Sequence, residues 1–370
     1  MSLFVYIYIY FGLFISSFIS SRVLSSFLHW SIFFLLTTTY YNGSDWRVYE
    51  LAYLNIDDDI FELYRLQWGP FFVWFISFFN ALGISFHWFV IVFKVFTLAV
   101  LLRFIRVFSS SFKYALSIAL LSMGLFLFID NPFRQMLAVA MFLISILFFG
   151  DGRTFYALLF FVVGLFFHAS MILAAPFILF YRRCFSNFFY VSVFFISILI
   201  IFNIEVLGWV FYKLGEVIPI FGFYYRNYLS GQLEFDHTSF SFYFFLILFF
   251  LLYLGRFVRK PILIESSLFE LSAFMFPIVG MFSAVSVDFL RFSCFLFVPF
   301  SVYLTGLLKD IDKGRIIQLG VLVAFLVLSM NLVLNTYKYL PYTNYPISLI
   351  FDDLKSYEYR RDFHKNFRRD

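Results

Sequence analysis

The sequence predicts an all-α polytopic membrane protein with about twelve transmembrane helices, and three observations predict it. Of the 370 residues, 63% are hydrophobic and only 13% are charged. With a mean hydropathy of +0.90, a soluble core inside a polar shell is excluded on surface-to-volume grounds. Apolar runs of about 17 to 25 residues recur along the chain, the length that crosses a hydrocarbon core as a helix. None alternates with the two-residue period of a lipid-facing barrel strand, so helices are the spanning element.

In order, the expected spans are residues 3–20, 23–40, 86–107, 113–130, 133–149, 154–167, 169–181, 187–211, 240–255, 266–286, 290–308 and 315–335. No Lys or Arg precedes Arg22, so the first run lacks the basic start of a cleavable signal peptide and reads as a span. The two runs flanking His168 are short, and together they also read as one broken helix. Segment 70–83 is short for a span and fits a re-entrant element. Residues 1–335 thus form a single transmembrane domain with two larger outer loops, 41–69 and 212–239, followed by a polar basic tail, 336–370.

Lys and Arg assign the sides. Arg22, Arg103, Arg106, Lys113, Arg153, Arg182, Arg183, Arg256, Arg259, Lys260, Lys309, Lys313 and Arg315 fall on one side if segment 70–83 does not cross, and that side is expected to be the cytoplasm. The opposite face then receives both larger loops, the NPFRQ corner, His168, and the corner with Asp288 and Arg291. By the same parity the basic tail falls outside, against the positive-inside rule, although charge in a C-terminal tail is a weaker signal.

Several function classes lack any signal. Cys184 and Cys294 have neither metal spacing nor a disulfide pattern. There is no Walker A loop, GxSxG elbow or HExxH, so neither nucleotide use nor hydrolase chemistry has a motif, and no cofactor is implied. The net charge of +5 comes without the dense basic run that binds nucleic acid. It suits membrane lipid and a phosphate-bearing lipid substrate.

The polar residues that interrupt the apolar chain carry the functional signal. In DNPFRQMLAVAMF, residues 130–142, Asn131 reads as an N-cap and Pro132 as the first helical position, which puts Arg134 in the first turn. A cation there opposes the helix dipole, so the arginine needs another reason. Helix amides, a guanidinium and Gln135 together suit a phosphate or diphosphate. The alternatives are that Arg134 snorkels to headgroups or pairs with Asp130.

His168 interrupts LFFHASMILAAP, either as a general base, as a donor to a diphosphate, or as a histidine bonded to a neighbouring helix. In YYNGSDWRVYE, Asn42 and Gly43 mark a turn, and Asp45 either activates an acceptor hydroxyl, binds sugar or is merely solvated. The run Asp57, Asp58 and Asp59 lacks the calcium-loop pattern. In the second outer loop most tyrosines suit an aromatic belt, and Arg226 is a ligand candidate. Asp288 and Arg291 have the spacing of a structural ion pair. Lys94 and Glu205, in or near spans, each need a partner and suit each other across helices.

NPFRQMLAVAMFLISILFFGDGRTFYALLFFVVGLFFHASMILAAPFILF, residues 131–180, resembles the central signature of EpsG-type membrane proteins, which include Wzy-like O-antigen and exopolysaccharide polymerases. GSDWRVY is similar to that family's glycine-x-aspartate-to-tyrosine loop, and DFLRF and YKYLPY resemble its closing segment. Two places depart: Thr37, Thr38 and Thr39 stand where the family commonly has an arginine, and Gln67 where it has a glutamate.

The resemblance implies a glycosyltransferase-C-like bundle in the bacterial inner membrane that joins undecaprenyl-diphosphate-linked oligosaccharide repeat units at the periplasmic face. A separate chain-length regulator is the implied protein partner. Carried over by motif, Arg134, Gln135 and His168 come first as site residues, then Asp45, then Arg291. Asn131 and Arg226 complete the diphosphate-binding set, with His168 and Asp45 as the catalytic pair and no metal required. The alternatives are a lipid-linked oligosaccharide flippase or a non-catalytic subunit of an export complex. A transporter usually shows duplicated halves, and none is visible here.

Overall fold

An apolar chain must satisfy its main-chain polar groups internally, and helices do this within one segment. In a computed structural model, residues 2–40, 42–43, 45–55, 68, 70–130, 132–180, 185–203, 209, 212–213, 216–217, 240–258, 266–282, 290–309, 314–335 and 342–351 are described. Among them the elements are helical, apart from one isolated antiparallel bridge between Thr39 and Asn344. The expected all-α class is what the chain adopts.

The described chain forms two compact units, Met1–Ala175 with Lys313–Asp370, and Pro176–Asp312. The first contains α1 (Ser2–Ser16), α2 (Arg22–Thr37), α3 (Trp46–Leu54), α4 (Pro70–Ala81), α5 (Phe86–Phe108) and α6 (Phe112–Gly124). A π-helical turn (Leu125–Asp130) leads to α7 (Phe133–Gly150) and α8 (Thr154–Phe167), and a 3-10 segment (Ala169–Ala174) follows. The short α9 (Ala175–Leu179) holds the boundary. The second unit has α10 (Asn187–Phe202), α11 (Phe240–Val258), α12 (Ser266–Met281), α13 (Leu290–Ser293) and α14 (Phe297–Lys309). The first unit closes with α15 (Gly314–Asn335) and α16 (Tyr345–Ile350).

Among the described residues, helices α5 and α7 are long and apolar enough to cross a membrane, and the other helices contribute shorter apolar stretches of 10–17 residues. With this composition the protein is a helical membrane protein. Three expectations change in detail. The span at 113–130 is α6 up to Gly124 and then a π-helical turn, and the loop at 41–69 contains α3. Between 169 and 181 the chain runs as a 3-10 segment and one short helix rather than a continuous span.

Within the first unit α7 and α8 form a tight antiparallel hairpin. Its corner is set by Gly152 at φ +74°, a left-handed position that glycine takes without a Cβ clash. Around it Arg153 N–H donates to the Phe148 carbonyl at 2.9 Å and Gly152 N–H to the Phe149 carbonyl at 3.0 Å, the paired bonds that terminate a helix in a Schellman turn. Ser145 Oγ–H crosses the hairpin to the Ala157 carbonyl at 2.7 Å. Ala138, Ala140 and Ala157 are buried, small enough to let the backbones approach. The hairpin places the start of α7 beside the end of α8.

Serine and tyrosine hydroxyls tie the other helices of this unit together. Ser117 donates to the Leu13 carbonyl at 2.8 Å, Tyr114 to the Gln318 carbonyl at 2.8 Å, and Ser329 to the Leu121 carbonyl. In the second unit, rings stack instead: Tyr190 on Phe274 and Phe194 on Phe249, both at 4.3 Å, and Phe276 on Phe300 at 4.4 Å.

Candidate functional site

The DNPFRQ corner starts α7 one residue later than expected. Pro132 is the N-cap, with φ −72° and ψ 71°, and Phe133 is the first helical residue. The expected cap, Asn131, lies outside the described residues. Arg134 still falls in the first turn, and the hairpin supplies part of the reason for it. Its Nε–H donates to the Phe167 carbonyl at 3.2 Å, one of the carbonyls that the C-terminus of α8 leaves without a helical partner. The guanidinium opposes the dipole of its own helix but complements that of α8. Its carbon also lies 5.6 Å from the Phe72 ring centre and 5.9 Å from that of Trp68. Arg134 is half-buried, whereas Gln135 beside it is buried.

The carbonyl that Arg134 holds belongs to the residue before His168. Helix α8 stops there because His168 is extended, φ −152° and ψ 121°, with its N–H bonded to the Gly164 carbonyl at 3.0 Å. Ser170 N–H then donates to His168 Nδ1 at 3.2 Å, a side-chain cap that starts the 3-10 segment. Ser170 Oγ lies 2.6 Å from the same nitrogen. An Nδ1 that accepts a backbone N–H is unprotonated, so in the neutral ring the proton is on Nε2.

The GSD turn reaches the same corner from the other end of the sequence. Gly43 has φ +87°, and a Cβ on it would lie 2.1 Å from the Asp130 carbonyl oxygen and 2.3 Å from its Cα. Only glycine permits that approach, and it sets the turn directly on the residue that ends the π-helical segment before Pro132. Asp45 follows as the N-cap of α3 and is half-buried, yet its side chain makes no capping bond. One turn on, Tyr49 packs its ring 5.1 Å from Trp68 and 6.1 Å from Phe133, so α3 meets the start of α7 through the same aromatic group that faces Arg134. Three segments distant in sequence, around Asp45, Arg134 and His168, therefore meet in the first unit.

The neighbouring face of α3 carries residues that periodicity alone did not single out. Glu50 Oε1 lies 3.9 Å from His87 Nε2, and the His87 ring stacks on Tyr345 at 4.3 Å and 7°. Lys94 is fully buried. Its Nζ donates to Thr39 Oγ1 at 2.6 Å and to the Thr39 carbonyl at 3.2 Å, and lies 5.7 Å from the Trp46 ring centre. A lysine is thus present at the threonine run that precedes the GSD turn, delivered from α5. The expected partner, Glu205, lies outside the described residues; the partner of Lys94 is Thr39.

Arg226 lies outside the described residues, as do Gln67, Cys184 and the aspartates 57–59. Arg291 stands in α13 of the second unit, with its side chain outside what is described. Trp68, Phe72 and the Glu50–His87 pair had no signal stronger than aromatic abundance, whereas Lys94 was visible as a charge inside an apolar run.

The model of the EpsG family matches residues 31–344 of this chain. No curated protein and no solved structure matches it.

Proposed function

Because this chain belongs to the EpsG family, we propose that it is a polysaccharide polymerase that joins lipid-diphosphate-linked oligosaccharide repeat units at the outer face of the bacterial inner membrane. The observation that carries this reading is the meeting of three polar motifs in one corner of an apolar bundle. Gly43 places the Asp45 turn on Asp130, and the Arg134 bond to the Phe167 carbonyl fixes the guanidinium beside His168.

The reaction needs three things, and each has a residue suited to it. Negative charge develops on the departing diphosphate, and the Arg134 guanidinium with the first-turn amides of α7, near Gln135, stabilises it. His168 presents its Nε2–H to a diphosphate oxygen, because Nδ1 is occupied as an acceptor for Ser170. Asp45, on the turn that Gly43 sets against Asp130, is the base for the acceptor hydroxyl. The acceptor oxygen forms its bond to the anomeric carbon, the bond from that carbon to the diphosphate breaks, and the hydroxyl proton passes to Asp45. The lipid diphosphate leaves as an anion held by Arg134, so no activation by a nucleotide is required.

In cells lacking their own polymerase, the chain is expected to restore long glycan, and Arg134→Ala to leave single repeat units on the lipid at the outer face. Removing one preorganised donor to a developing charge costs about 100- to 1,000-fold in rate. Accumulation of units on the inner face would instead identify a flippase and sink the polymerase reading.

A further inference from the structure

The C-terminal end of the described chain returns to the Asp45 turn across some 300 residues of sequence. Tyr40 N–H donates to the Thr343 carbonyl at 3.4 Å and Tyr345 N–H to the Thr38 carbonyl at 3.0 Å. This makes Thr39 and Asn344 the close, non-hydrogen-bonded pair of an antiparallel bridge. The side chains repeat the pairing. Asn344 Nδ2 donates to Thr38 Oγ1 at 2.5 Å and to Tyr342 Oη at 3.3 Å, and Tyr342 donates to the Leu35 carbonyl at 2.7 Å. Thr343 Oγ1 is bonded to the Tyr40 carbonyl and lies 3.0 Å from Asn42 Oδ1.

Thr343, Asn344 and Asn42 are all buried. Asn344 also caps α16, accepting from Ile347 N–H at 3.2 Å, so its orientation is fixed from behind. On the other side of the same segment Lys94 holds Thr39, and Thr39 Oγ1 in turn donates to the Phe128 carbonyl at 3.2 Å, in the π-helical turn that ends at Asp130. Thr38, Thr39, Tyr40 and Asn42 are thus gripped from two sides just before Gly43, where the chain touches the Asp130 backbone with no room for a Cβ.

We propose that Thr343 and Asn344 are positioning residues: they strap Thr38, Tyr40 and Asn42 in place and so hold the Asp45 carboxylate at the Arg134 corner. Their contribution to turnover rests on the polymerase reading above; their contribution to the place of Asp45 does not. A turn with buried partners on both sides keeps one geometry, and a loosened turn moves the carboxylate. Displacement of a reacting group by about 1 Å costs on the order of 100-fold in rate.

Two measurements on the full-length protein in lipid nanodiscs test this. In a chain with Cys184→Ser, the accessibility of Asp45→Cys to a maleimide is followed with and without Asn344→Ala, while the buried Cys294 reports on the rest of the fold. The expected result is several-fold faster labelling at position 45 with Cys294 still protected; an unchanged rate overturns the proposal. The second variant is Thr39→Cys/Asn344→Cys, whose positions have the close spacing that a disulfide accepts. Oxidised, it is expected to polymerise roughly tenfold to 100-fold faster than when reduced. Equal rates in the two states, with the disulfide verified, overturn the proposal. Should the unaltered chain fail to polymerise at all, the polymerase reading falls, while the labelling at position 45 still decides the strap.

Discussion

Arg256 and Arg134 are both arginines at helix ends in an apolar chain, yet their surroundings differ. Arg256, in the last turn of α11, donates from Nε to Glu270 Oε1 at 2.9 Å and from Nη2 to the Phe185 carbonyl at 2.6 Å, with its guanidinium carbon 4.7 Å from the Tyr190 ring centre. Tyr190 and Tyr303 donate to Glu270 at 3.3 and 3.4 Å, and the two charged side chains are 10% and 4% exposed. Arg134 is half-buried, and around it lie a helix-terminal carbonyl, two aromatic faces and the turn leading into His168. A carboxylate-and-phenol shell closed around a guanidinium spends its charge on structure. The Arg134 guanidinium is instead held by a helix-terminal carbonyl and ring faces, beside a histidine and the turn that carries Asp45.

The largest effect that separates the two is on stability. Glu270→Ala leaves the Arg256 charge buried without its counter-ion and is expected to cost about 3–5 kcal/mol. Arg134→Ala removes a half-buried guanidinium, with its bond to the Phe167 carbonyl and its aromatic contacts, and should cost less, about 1–2 kcal/mol, while abolishing polymerisation. Thermal unfolding of both variants in the same lipid gives the answer; equal losses would erase the distinction. Replacing Arg256 and Glu270 together by Leu and Met should recover most of the stability, since the cost lies in the unpaired charge.

A smaller effect probes the turn that carries His168. A Cβ on Gly164 would lie 2.2 Å from Met171 Sδ, so Gly164→Ala pushes Met171 out of its place beneath the 3-10 segment. Overpacking of this kind costs about 1–3 kcal/mol. Met171 is flexible, and trimming it with Met171→Ala in the same chain should relieve the strain and restore polymerisation. Activity that stays low in the double variant would mean that the His168 turn is not set by this contact.

The smallest effect lies at the end of α3, away from both arginines. Tyr53 Oη donates to the Ile84 carbonyl at 2.7 Å, and burial pushes its phenol from an ordinary 10.0 up to about 12. The raised value means that the folded state holds the proton more tightly. Its stabilisation is complete below pH 10 and is lost as pH rises through about 12. Tyr53→Phe should cost about 1 kcal/mol at neutral pH and flatten the alkaline part of the stability profile. A profile identical to that of the unaltered chain would show that Tyr53 does not titrate with unfolding.

Much of this was legible in the residues because it depends on local or compositional physics. An apolar chain without two-residue alternation has to be helical in lipid, and the break at His168 and the start of a helix near Arg134 follow from residues adjacent in sequence. The arginine was visible as an anomaly because a helix dipole disfavours it locally. Its structural support, the Phe167 carbonyl at the end of α8, was not visible, since it arises only when the hairpin closes. Pro132 as cap rather than first residue also lay beyond local rules, because Phe133 is anchored by rings from α3, α4 and α5.

The sequence by itself determined the solvent, the helical class and which polar residues were out of place, because each follows from hydrophobicity and from interactions within a few residues. Tertiary structure alone decided that the GSD turn lies on Asp130, that Lys94 answers Thr39, and that Asn344 returns to Thr38. Those contacts join residues tens to hundreds of positions apart. A hydrogen bond or a missing Cβ carries no mark of its distant partner until the packed helices bring the two within reach.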